Sequence, residues 1–171
     1  DILDKSTPVN HLKIIRSAVP SRELGFMPGN LEEKVSDYEE PYEDAIRAIC
    51  ENHEAYDLMK KSMIVSFTPT SFVRGVTWDN TVVLIDEVQN LTWHEIHSVV
   101  TRLGVNSRLI VCGDFRQCDL NERKEKTGID KLLNVAEGMS TFESITFTKD
   151  DCIRSDFVKS WLHRCEDLGY I

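Results

Sequence analysis

The sequence predicts an α/β fold, a three-layer sandwich with a mostly parallel sheet. Three observations predict it. Thr81-Val82-Val83-Leu84-Ile85 is an unbroken apolar, β-branched run of the kind that a parallel sheet buries on both faces. Runs of this type alternate along the chain with segments of helical period. Acidic residues follow two of the apolar runs directly, where open α/β sheets place their ligands.

The elements follow in chain order. His11–Ile15 reads as a short strand, and Leu24–Gly29 as loop punctuation around Pro28. Asn30 caps a short helix with Glu32 and Glu33 in its first turn, where the helix dipole favours anions. Pro41 restarts a helix, with Tyr42, Ala45, Ile46 and Ile49 at helical spacing. Ser62–Phe67 is the second strand, ended by the turn chemistry of Thr68-Pro69-Thr70. After Thr81–Ile85, Thr92 and Glu95 form a capping box. Trp93, Ile96, Val99, Val100 and Leu103 then mark one helix face, which Gly104 stops. Ser107–Cys112 is the next strand and Thr141–Phe147 the last. Ser155 caps a final helix whose buried stripe is Phe157, Val158, Trp161, Leu162, Cys165 and Leu168. The charged stretch Asn121–Gly128 is the candidate mobile loop.

Size and composition bound the function. The 171 residues fit a single domain, 1–171, with one real core. Apolar content of 41% with 29% charged residues is that of a soluble globular protein. No apolar run approaches the roughly 18 residues a membrane span needs. A net charge of -9 argues against a general polyanion binder and leaves room only for a local basic track. The five cysteines form an odd set without a Cys-x-x-Cys pair, which points to free thiols in a reducing cytoplasm. The N-terminus has no basic n-region and no methionine, so a fragment or processed form is expected.

Chemistry concentrates at two strand ends. Asp86-Glu87 follows Val82–Ile85, and Gly113-Asp114 follows Leu109–Cys112. A carboxylate pair after an apolar strand suits a Walker B element, in which one carboxylate holds Mg2+ and the next polarises the attacking water. Gln117, three positions after Asp114, stands where it could sense a terminal phosphate. Acidic residues at strand ends also serve as helix caps or solvated turns. Two such ends, one with the spaced glutamine, favour function. His94-Glu95-Ile96-His97 has its histidines three apart instead of the four a zinc helix requires, so they read as surface residues.

Leu84-Ile85-Asp86-Glu87-Val88-Gln89-Asn90 together with Gly113-Asp114-Phe115-Arg116-Gln117-Cys118-Asp119-Leu120 resembles the PhoH proteins, a branch of P-loop ATPases close to superfamily I helicases. Arg16–Ser21, Leu24–Lys34, Phe72–Asn80, Thr101–Gly104 and Asp151–Ser155 resemble further family segments in the same order, from about Leu12 to Leu168. The resemblance implies a RecA-like P-loop NTPase core, ATP and Mg2+ as cofactors, RNA as a partner with helicase-like use of ATP, and a homo-oligomeric ring, with a hexamer as a candidate size. It implies Asp86 for Mg2+, Glu87 as general base and Gln117 as γ-phosphate sensor, with Asp114 and Arg16 on the nucleotide side. Arg154 resembles a family arginine that stabilises phosphoryl charge; a salt bridge with Asp150 or Asp151 is its structural alternative. Arg74, between Phe72 and Trp78, could meet RNA by charge and stacking, or pack at a ring interface, and Arg102 has the same two readings.

The departure from the pattern is specific. No Gly-x-x-x-x-Gly-Lys-Ser/Thr run exists among the eight glycines. In the family that loop lies immediately upstream, so the chain is expected to be N-terminally incomplete, with weak or no ATP binding on its own. Differences at Trp78-Asp79, Trp93-His94 and Asn121–Thr127 suggest a distant, phage-encoded relative. Two other functions compete. A metal-dependent phosphodiesterase or nuclease could gather two Mg2+ ions at Asp86, Glu87, Asp114 and Asp119, although it has no use for Gln117. A non-catalytic ring or adaptor subunit would be indifferent to Glu87.

Overall fold

The computed structural model describes residues 6–17, 31–73, 75–114 and 128–170. The expected loop Leu24–Gly29, the cap Asn30, Arg74, Gln117 and the stretch 121–127 lie outside the described residues.

Four strands form one sheet: β1 (His11–Arg16), β2 (Val65–Pro69), β3 (Thr81–Asp86) and β4 (Arg108–Val111). Their order is β2-β1-β3-β4, and every pairing is parallel. The central strands alternate faces. Ile14 on β1 and Leu84 on β3 pack with Tyr42 and Ile46 of α1 (Leu31–Ile49) and Tyr56 and Met59 of α2 (Ala55–Lys61). Ile15, Val83 and Ile85 pack the other way, with Ile96 and Val99 of α3 (Trp93–Val100). These make the three layers. Each fully buried branched side chain contributes roughly 1.5–3 kcal/mol, which explains why β3 is an unbroken Val, Leu and Ile run from Val82 to Ile85. Strand β4 is an edge, and Ile110 on it is half exposed.

Helix α3 starts on the expected capping box. Thr92 Oγ1 accepts from the Glu95 N–H, and Glu95 Oε2 accepts from the Thr92 N–H at 2.9 Å. The helix ends at Val100, however, before Gly104. Gly104 is needed for close approach: a Cβ there would collide with the Asp79 carboxylate and lie 2.8 Å from the Trp78 carbonyl oxygen. Trp78 and Leu103 form a parallel bridge at this point.

Pro41 does not restart a helix; it lies inside the 19-residue α1. An interior proline costs about 3 kcal/mol, so both halves of the helix must be held from outside. The first half is held by Glu39, which accepts from the Tyr56 phenol and from Lys60 Nζ. Tyr42 and Ile46 hold the second half against the sheet. Ala45 and Ile49 face outward, Ile49 with 81% exposure, so the buried stripe is narrower than the spacing suggests. Helix α2 had no counterpart in the sequence reading, and β2 begins at Val65, three residues later than expected.

The chain divides into two compact units, 1–132 and 133–171. The sheet and its layers belong to the first. The boundary falls within α4 (Ile129–Ala136). In the second unit Thr141–Phe147 forms no strand: residues 142–148 are irregular, and Ile145 and Phe147 are exposed. Strand propensity is realised only where pairing and packing are offered. Helix α5 (Asp156–Asp167) is capped by Ser155 as expected. Its stripe is exposed, not buried, with Phe157 at 76% and Trp161 at 62%. Helical period identifies the helix and says nothing of what covers it.

Candidate functional site at the ends of β1, β3 and β4

The strand order sets the site. From β1 the chain moves outward to β2, returns across to β3, and continues outward to β4. The reversal falls between β1 and β3, and the crevice at such a point is where open parallel sheets bind ligands. Arg16 and Asp86 are the last residues of those two strands and are direct register partners.

Asp86 is half-buried and held from the helix side. The Tyr42 phenol donates to Asp86 Oδ2 at 2.6 Å. Burial, followed by that hydrogen bond and the Asp86 charge, pushes the Tyr42 pKa up, so the phenol stays protonated as a donor. Arg16 lies on the same cluster, with its guanidinium 5.8 Å from the Tyr38 ring centre. Burial and the Asp86 charge also raise the Cys112 pKa, at the end of β4.

Glu87 turns the chain. Its backbone is left-handed, with φ 52° and ψ 44°. That conformation costs a non-glycine residue on the order of 1–3 kcal/mol and clusters at functional sites. The turn leads into a 3-10 segment, Val88–Asn90, whose Val88 and Gln89 are buried. Gln89 Nε2 donates to Glu87 Oε2 at 2.5 Å, and Gln89 Oε1 accepts the Asp114 N–H at 3.1 Å. The Val88 N–H also donates to the Cys112 carbonyl at 3.0 Å. Asp86, Glu87 and Asp114 are thus brought to one edge of the sheet, with Arg16 beside them.

The other expected residues lie on other elements or outside the described residues. Arg102 follows α3, where its carbonyl accepts from the Trp78 N–H at 2.8 Å. Its Nε is buried and has no hydrogen-bond partner among the described residues. Arg154 belongs to the second unit and is exposed; the Asp151 carboxylate accepts from the Thr148 N–H and hydroxyl. Gln117 and Arg74 lie outside the described residues. His94 and His97 are exposed on α3, as read from their spacing. Tyr42 and Gln89 were missed as site residues. Tyr42 was read only as part of an apolar helix face. Gln89 follows Asp86-Glu87 closely, and its signal is a polar side chain directly after Val88.

The donor set suits Mg2+. This ion takes one or two carboxylates and fills its remaining positions with water and substrate phosphate oxygens. Asp86 presents a carboxylate oriented by Tyr42, and the adjacent Glu87 is engaged separately by Gln89.

Comparison with known proteins identifies the family. The family described as PhoH-like protein matches residues 3–166. Protein PhoH of Escherichia coli K12 is 34% identical over 157 residues, which cover 91% of this chain and 44% of the relative. A PhoH-like protein of Bacillus subtilis is 32% identical over 155 residues, 90% of this chain and 48% of the relative. One from Synechocystis is 33% identical over 151 residues, 88% and 45% respectively. The chain therefore spans less than half the length of these curated relatives. With a match over nearly its whole length, the chain belongs to the PhoH family.

Proposed function

We propose that the whole protein is a Mg2+-dependent ATP hydrolase and that this chain carries its water-activating side. PhoH is a P-loop NTPase family, which supports nucleotide binding. The observation that carries the reading is the Asp86-Glu87 pair at the end of β3, beside Arg16 at the topological reversal of a parallel sheet.

In this reading Asp86 holds Mg2+, and Glu87 accepts the proton of the attacking water. Mg2+ held there would supply positive charge against the nucleotide's phosphates. Tyr42 keeps the Asp86 carboxylate turned toward the nucleotide side. Arg16 and Asp114 border the nucleotide, Gln117 senses its terminal phosphate, and Arg154 stabilises phosphoryl charge. RNA is the proposed polymer to which hydrolysis is coupled, in a cytoplasmic homo-oligomeric ring. The exposed Phe72, two residues before Arg74, and Arg74 and Arg102 supply stacking and charge. Among the described residues no helix is long and apolar enough to cross a membrane.

The test is phosphate release from ATP by the full-length protein, with and without Mg2+, in wild type and Asp86→Asn. Mg2+-dependent release that Asp86→Asn abolishes supports the reading. Cleavage of a phosphodiester substrate with no release from ATP would replace it with the nuclease alternative.

A further inference from the structure

Gln89 is an amide where packing alone would be served by an apolar side chain. It is 1% exposed, between the fully buried Val88 and Leu91. Its two ends reach different strand termini: Nε2 donates to the Glu87 carboxylate after β3, and Oε1 accepts the Asp114 N–H after β4. Gly113 makes room for this. A Cβ at that position would stand 2.6 Å from Gln89 Oε1 and 2.7 Å from Val88 Cγ1. Among neutral side chains of this length only glutamine offers a donor and an acceptor together. Methionine would fill the volume and make neither bond. Ionised glutamate could accept from Asp114 and could not donate to Glu87.

We propose that Gln89 is a positioning residue that ties the Glu87 carboxylate to the end of β4 at Asp114, so that the water-polarising group is held by two strands. The inference rests on the hydrolase reading of Glu87. Glu87 is itself the left-handed residue of the turn, and its side chain would otherwise choose among several rotamers. A charge-assisted bond from Gln89 selects one of them. Gln89 is buried and acts through Glu87, so its loss lowers turnover and leaves nucleotide affinity intact.

The test uses the full-length protein with Gln89→Met and Gln89→Glu. Both variants are expected to lose on the order of tenfold or more in kcat, with KM for ATP and affinity for a non-hydrolysable Mg2+-ATP analogue unchanged. A second readout needs no nucleotide. Amide hydrogen exchange at Asp114 is expected to speed up in Gln89→Met and to stay slow in Gln89→Glu, which keeps the acceptor. If Gln89→Met does not fold, Gln89→Glu decides alone. Wild-type kcat in either folded variant overturns the inference, as does a raised KM with kcat unchanged, or unchanged Asp114 exchange in Gln89→Met. A wild-type protein that does not hydrolyse ATP overturns the hydrolase reading and this inference with it. Wild-type hydrolysis with unaffected variants removes only this inference.

Discussion

The Tyr42 hydroxyl, on a helix 44 residues away in sequence, donates a 2.6 Å hydrogen bond to Asp86 Oδ2. The ring also packs against Phe67, with 5.7 Å between ring centres. Tyr42→Phe keeps that packing and removes only the donor. We expect a stability loss of about 1–2 kcal/mol by urea unfolding. In the hydrolase reading, the Mg2+ concentration for half-maximal activity also rises. An unchanged Mg2+ dependence would reduce Tyr42 to a packing residue.

Tyr56, in the same packed layer as Tyr42, gives a pH prediction. Its phenol is buried and donates to Glu39, and its pKa is raised above the ordinary 10.0, first by burial and then by the Glu39 bond. A folded pKa above the unfolded one means stability that is fully present below pH 10 and is lost as pH rises toward the folded pKa. The wild-type advantage over Tyr56→Phe is therefore constant at neutral pH and shrinks above pH 10. Urea unfolding of both proteins in the two ranges checks it; a gap that widens in alkali contradicts it.

Gly113→Ala forces a methyl group to within 2.6 Å of Gln89 Oε1 and 2.7 Å of Val88 Cγ1. Overpacking of this kind costs roughly 1–3 kcal/mol. The melting temperature should fall, whereas Gly138→Ala, whose nearest neighbour would be 3.6 Å away, should leave it nearly unchanged.

Thr92→Ala removes the cap of α3 and should cost about 1 kcal/mol. Glu95→Ala should cost more. That carboxylate accepts from the Thr92 N–H and hydroxyl, and from the Thr70 hydroxyl at 2.7 Å. Equal losses in the two variants would mean that the link to Thr70 contributes nothing.

What could be read from the sequence follows what is local. Strands β3 and β4 announce themselves because a parallel sheet needs continuous apolar runs, β1 by Leu12, Ile14 and Ile15 around Lys13, and Thr92 with Glu95 and Ser155 mark helix starts by short-range bonds. Helix α2 is hard to read because it has only seven residues, and Glu54 before it makes no side-chain cap. Pro41 misleads because proline favours a first helical turn in isolation, whereas contacts of Glu39, Tyr42 and Ile46 hold it in mid-helix. Ile145 and Phe147 carry strand propensity without a strand partner. At the site, Asp86, Glu87 and Asp114 were legible from their positions after apolar strands. Tyr42 and Gln89 were not, since their bonds to Asp86 and Asp114 depend on how distant segments meet.

Glu87 is where the hydrolase reading is most exposed. The decisive measurement is ATP turnover by full-length wild type and Glu87→Gln, with nucleotide affinity measured in parallel. The expected result is turnover lower by about 100-fold or more at unchanged affinity, the signature of a lost proton acceptor. Turnover within a few-fold of wild type in Glu87→Gln would contradict the assignment of Glu87 as the residue that activates water.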